Sequence, residues 1–153
     1  MNQLPKWLVE FNRTEVEAYV GRKWTKGDPS TSLGAGPSTS LGTGKVFVEL
    51  TKPANRPELY YALLPNTPFA NELLVKLAER LMVEERLGAD EVPDVLAVVF
   101  SANDYVGHRF GPYSEQVEDI TLQTDALIAR LFKFADERVG AGNYWVVLSG
   151  DHG

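Results

Sequence analysis

Pro93-Asp94-Val95-Leu96-Ala97-Val98-Val99-Phe100 and, further on, Tyr144-Trp145-Val146-Val147-Leu148-Ser149 are the stretches whose reading decides the fold. Each is a near-continuous apolar run of strand length, rich in β-branched residues, the pattern of a strand buried on both faces of a sheet. Between them the spacing predicts a long helix from about Ser114. Glu115, Glu118 and Asp119 stand at its start and Arg130, Lys133 and Arg138 near its end, the charge order a helix dipole favours. Val117, Ile120, Thr124, Leu127, Ile128, Leu131 and Ala135 make its inner stripe, and Gly140 and Gly142 stop it. Asp119 and Asp125 read as surface or cap charges.

Working back from the first run, Thr67-Pro68 is a helix opening. A helix to about Leu87 carries Leu73, Leu77 and Leu81 on one face, with Leu74, Ala78 and Met82 alongside; Gly88 ends it. Helix, buried strand, helix, buried strand predicts an α/β fold with a parallel sheet and right-handed crossovers. The two strands should run side by side in one sheet and end at the same edge.

Nearer the N-terminus, Lys45–Leu50 alternates as a strand. Residues 5–24 read as short helices, with Trp7, Leu8 and Phe11 on one face, a capping box at Thr14 and Glu17, and Gly21 closing the turn. Between these segments Pro29–Gly36 (PSTSLGAG) is followed by Pro37–Gly44 (PSTSLGTG), a tandem repeat with one change. Two copies are too few for a solenoid, and Gly, Pro, Ser and Thr bury little, so the repeat predicts a surface loop. The organisation expected is therefore an N-terminal helical segment (1–28), a low-complexity loop (29–44) and an α/β portion (45–153).

Composition narrows the function classes. The chain has 153 residues, 44% of them hydrophobic, enough for a core. Its net charge of −6, with no Lys/Arg-rich run, argues against nucleic acid as partner. No apolar run has the length of a membrane span, no targeting segment is recognisable, and no protein partner is called for. With no cysteine, any metal must be held by His, Asp and Glu.

Both histidines of the chain follow one of the two predicted strands, each with an aspartate nearby: Asp104-Tyr105-Val106-Gly107-His108, and Asp151-His152. In open parallel sheets functional groups gather beyond the carboxyl ends of the strands. Carboxylate and imidazole suit Zn²⁺, Mn²⁺ or Mg²⁺, and two such pairs suffice to hold part of a two-metal site. The first pair is expected on a loop, with Gly107 letting the backbone turn so that Asp104 and His108 converge. The residues alone leave open a second reading, in which they are solvated groups capping turns.

Taken together, residues 93–101, Asp104 through Pro112 (DYVGHRFGP) and Asp151-His152-Gly153 resemble the alkaline phosphatase superfamily. The nearest likeness is to the bacterial phosphate-irrepressible alkaline phosphatases and the nucleotide pyrophosphatase/phosphodiesterase branch. Thr67-Pro68-Phe69-Ala70-Asn71, Glu85-Arg86-Leu87-Gly88, Trp7, Phe11-Asn12, Tyr19, Gly21 and Trp24 also fit; the repeat does not. The resemblance implies a phosphate monoester hydrolase, or alternatively a phosphodiesterase or nucleotide pyrophosphatase, acting on a phosphate ester substrate with two zinc ions, one bound by Asp104 and His108, the other by Asp151 and His152. It also implies a periplasmic or secreted setting. The family's nucleophilic Thr or Ser, a further metal-binding Asp and a further His match nothing here, so no catalytic residue is assigned. The chain is expected to be an internal fragment that is inactive by itself; the alternative is a non-catalytic metal-binding remnant of an interrupted gene.

Overall fold

The computed structural model describes residues 3–27, 44–150 and 152. Residues 1–2, 28–43, 151 and 153, which take in all of the repeat but its last glycine, lie outside them. Helix α1 (Lys6–Thr14) starts from extended Pro5, whose carbonyl accepts from Leu8 and Val9 N–H, and buries Phe11. The expected capping box is absent: Thr14 closes the last turn of α1 and its hydroxyl donates back to Glu10 O at 3.0 Å. A short 3-10 turn (Glu17–Tyr19) follows. Gly21, at φ +82°, then reverses the chain into β1 (Lys23–Thr25).

Strand β2 (Val46–Glu49) pairs with β1 antiparallel, Trp24 opposite Val48. Gly21 N–H to Leu50 O (2.6 Å) and Leu50 N–H to Arg22 O (2.8 Å) prolong the pairing. β1 has no alternation long enough to show in the sequence; only its partner reveals it. The tandem repeat is the connection between these two strands.

Helix α2 (Glu58–Leu63) and a tight turn (Leu64–Asn66) lead into α3 (Pro68–Glu84). Thr67 occupies the N-cap position, but its hydroxyl donates to Leu64 O at 2.8 Å and caps nothing. The buried face of α3 is Phe69, Asn71, Glu72, Val75, Ala78 and Met82; the leucine stripe expected inside is only half-buried. Helix α4 (Ala102–Phe110) and helix α5 (Glu115–Arg138) complete the helical layer. Ser114 caps α5 as expected, its Oγ accepting from Val117 N–H at 3.2 Å. Gly140 and Gly142, both at positive φ, turn the chain after it. Tyr19, Trp24, Val48, Leu50, Tyr60, Leu64, Phe69, Ala102, Val106 and Ile120 form one core joining the strand pair to α3, α4 and α5.

The two apolar runs behave differently from expectation. Neither 95–100 nor 144–149 enters a β-ladder, and Val95, Val147 and Leu148 are 91%, 92% and 82% exposed. The only sheet among the described residues is the antiparallel pair β1-β2. Apolar content marks a segment for burial between neighbours, but a ladder needs a strand about 4.8 Å away on at least one side. None of the described segments provides it.

The crossover geometry is nonetheless present. Asn71 bonds Thr124, Glu79 pairs with Arg130, and Gly88 abuts Val139, so α3 and α5 lie parallel. A chain joining two parallel helices must return the length of the first, about 25 Å for 17 residues. Eight residues, 93–100, are enough to cover about 26 Å when extended. Residues 144–149 leave the same end, where Tyr144 OH bonds Asp136 at 2.9 Å, and bring His152 back to α4. Both runs therefore point the same way, as strands joined by a helical crossover must.

Candidate metal centre

Asp104 and His108 stand on α4, not on a loop. The residue spacing of four places both side chains on one helix face, so the helix itself makes them converge and Gly107 has no turn to supply. Asp104 lies in the first turn and His108 and Arg109 in the last, where the helix dipole favours each charge sign. Ala102 and Val106 press the opposite side of α4 into the core, at 3% and 0% exposure.

His108 Nε2 is 3.3 Å from Asp104 Oδ1, and His152 Nε2 is 3.5 Å from the same oxygen. Three of the four residues singled out in the sequence therefore meet at one carboxylate. Asp151 falls outside the described residues. All three side chains are partly open to solvent, so the cluster lies at the surface of the described chain. Among the described residues no three carboxylate or imidazole groups are set to enclose a cation; the two imidazoles instead share one oxygen.

Two other features are not legible in the sequence. Asp119, which reads there as a surface or cap charge, is buried and accepts from Trp24 Nε1 (2.7 Å), Gly27 N–H (2.8 Å) and Gln123 Nε2 (2.5 Å). Asn71, 1% exposed, bonds Asn103 beside Asp104. The signal for Asp119 is weak, because an acidic residue in the first turns of a helix is ordinarily solvated. A cleft of about 550 Å³ lies elsewhere, lined by Trp7, Phe11, Lys76, Arg80, Val83 and Phe134 among others. Its cations are engaged, Lys76 with Glu15 and Glu72 and Arg80 with Glu84, and it does not border Asp104.

Residues 10–153 match the family described as type I phosphodiesterase / nucleotide pyrophosphatase. The chain belongs to that family. Its family likeness extends to alkaline phosphatase PafA of Elizabethkingia meningoseptica, 36% identical over 99% of this chain and 29% of the relative. A protein named calcium-transporting ATPase, of Myroides odoratus, is 33% identical over 100% of this chain and 30% of its own length. The crystal structure of wild-type alkaline phosphatase PafA superposes with a TM-score of 0.72 at 33% identity, covering 94% of this chain and 29% of that one. The chain thus spans about three tenths of the curated relatives it matches, and its helices and extended runs are part of an alkaline-phosphatase-like α/β fold. That match stands beside the absent ladder: the fold is shared, while 95–100 and 144–149 form no strand among the described residues.

Proposed function

We propose that Asp104, His108, Asp151 and His152 are ligands of a two-zinc centre in a phosphate monoester hydrolase. The observation that carries this is the meeting of His108 and His152 at Asp104 Oδ1. Carboxylate and imidazole are donors that zinc accepts, and the two imidazoles stand beside one carboxylate, although no three groups among the described residues are set to enclose an ion. The family resemblance assigns Asp104 with His108 to one ion and Asp151 with His152 to the other.

When bound, such a metal pair activates a hydroxyl nucleophile and stabilises phosphoryl and leaving oxygens. This chain's part is to present the ligands. Helix α4 holds Asp104 and His108 at a fixed spacing, and the return of residues 144–149 along the helical layer delivers His152 to them. The 153 residues contain none that the resemblance casts as the nucleophile, so alone they are not expected to turn over substrate. A periplasmic or secreted setting goes with the proposal; among the described residues no helix is long and apolar enough to cross a membrane.

The relative named as an ATPase and the family description itself favour a second substrate class, phosphodiesters and phosphoanhydrides. Equilibrium dialysis against zinc tests the metal reading: the wild-type chain retains zinc, and His108→Ala and His152→Ala each weaken retention at least about ten-fold. Zinc binding indifferent to both changes would overturn it. Turnover of p-nitrophenyl phosphate against bis-p-nitrophenyl phosphate and ATP by the whole enzyme separates the substrate classes. Zinc-dependent turnover by the 153 residues alone, lost in His108→Ala, would refute their inactivity.

A further inference from the structure

Helix α4 carries two of the proposed ligands, and its apolar anchors lie along one side of it. Ala102, Val106 and Phe110 follow at one-turn spacing, the first two buried and Phe110 half-buried against the core and edge-on to Trp24. Apolar contacts along such a line resist translation of the helix into its neighbours but are non-directional, so they set its rotation less sharply than a hydrogen bond does. Asp104 and His108 stand on the far side, where rotation moves them most. At a side-chain radius of about 5 to 6 Å, a 20° rotation sweeps a carboxylate through about 2 Å. Metal–ligand distances tolerate about 0.2 Å.

We infer that the hydrogen-bonded triangle Asn71, Asn103 and Thr124 is the positioning device that fixes the rotation of α4 and so aims Asp104 and His108. Asn71 Nδ2, from α3, donates to Asn103 Oδ1 and to Thr124 Oγ1, each at 2.9 Å. Thr124 Oγ1, from α5, lies 3.0 Å from Asn103 Oδ1 and 2.8 Å from Ile120 O, two acceptors for its one proton. Asn71 and Thr124 are buried. Asn103 precedes Asp104 by one residue, about 100° round the helix, on the flank between the packed line and the ligand face. A directional contact there fixes the rotation that non-directional apolar packing sets less sharply. Since a buried amide that loses its partner is penalised, the triangle holds a single arrangement, and α4 is referred to both long helices at once.

This rests on the metal reading above, and the test separates the two. Co²⁺ binding by the purified protein is followed by visible absorption, and thermal unfolding is recorded without metal. Thr124→Val, near-isosteric, and Asn71→Leu should weaken Co²⁺ binding about ten-fold or more, the loss typical of removing a partner that orients a ligand. Thr124→Ser, which keeps the hydroxyl, should restore it to within about two-fold. Tyr60→Phe removes a bond to Val16 O, which belongs to none of α3, α4 and α5, and should lower the melting temperature while leaving Co²⁺ affinity unchanged. Co²⁺ binding that depends on His108 but is indifferent to Thr124→Val, or is weakened equally by Tyr60→Phe, would overturn the positioning role alone. No His108-dependent Co²⁺ binding would overturn the metal reading and the positioning role with it.

Discussion

Replacing Asp119 by alanine should destabilise the fold more than any other single truncation of a charged residue on α5. The carboxylate takes hydrogen bonds from three elements: the Trp24 indole on β1, the Gly27 amide at the end of the described β1 segment, and Gln123 one turn along the helix. The Trp24 ring is 1% exposed and packs edge-on against Phe47 and Phe110. Its N–H cannot turn to water when the acceptor goes. One buried donor left unsatisfied costs about 1 to 3 kcal/mol, and each bond to a charged acceptor contributes about 1.5 to 3 before desolvation is offset. With the carboxylate's own desolvation set against those bonds, the net loss is roughly 3 to 5 kcal/mol, a large share of the 5 to 15 kcal/mol that holds a typical domain together. For a chain of this size that is about 10 °C or more in Tm. Asp119→Asn, which keeps one acceptor oxygen, should lose about half as much. Urea unfolding followed by tryptophan emission gives both numbers, because Trp24 is buried whereas Trp145 is 97% exposed. A loss below about 1 kcal/mol in Asp119→Ala would refute the view that this carboxylate ties β1 to α5.

Alkaline pH provides a second check. Burial, with a smaller contribution from the Glu17 charge, pushes the Tyr60 phenol from 10.0 up to about 12, and its hydroxyl donates to Val16 O. Because the folded-state value is the higher one, the stabilisation is complete below pH 10 and disappears as pH rises to about 12. The gap corresponds to about 2 to 3 kcal/mol, and Tyr60→Phe should remove that part of the alkaline slope in urea titrations; an unchanged slope would count against it. Deleting residues 29–44 should move Tm by less than about 2 °C in calorimetry. Lys26 N–H already bonds Lys45 O at 3.2 Å, and the remaining Lys26-Gly27-Asp28-Lys45 is long enough to close a hairpin. A larger drop would mean that the repeat packs into the fold.

Local chemistry is what a sequence encodes most directly, and it was legible here wherever one residue type has one local use. Ser114 ahead of an acid-to-base charge gradient marked α5, and Gly140 and Gly142 marked its end. Thr67-Pro68 placed the start of α3, although the Thr67 hydroxyl does not cap it. The order of apolar runs and helices foretold two parallel strands of one sheet, and neither 95–100 nor 144–149 enters a ladder. Asp104, His108 and His152 meet without that sheet edge, brought together by α4 and by the return of the chain after α5. What the sequence left open depends on partners distant along the chain. Whether 95–100 becomes a laddered strand is settled by a neighbour and not by its own valines. Thr14 and Glu17 spell a capping box, yet the preceding helix claims Thr14. The Asp104-to-His108 spacing serves a loop or a helix equally, and packing of Ala102 and Val106 against the core selects the helix. Asp119 looks like any acid near a helix start. Only the tertiary structure brings Trp24 and Gly27 to it, since a carboxylate is buried at acceptable cost only where folding assembles its donors.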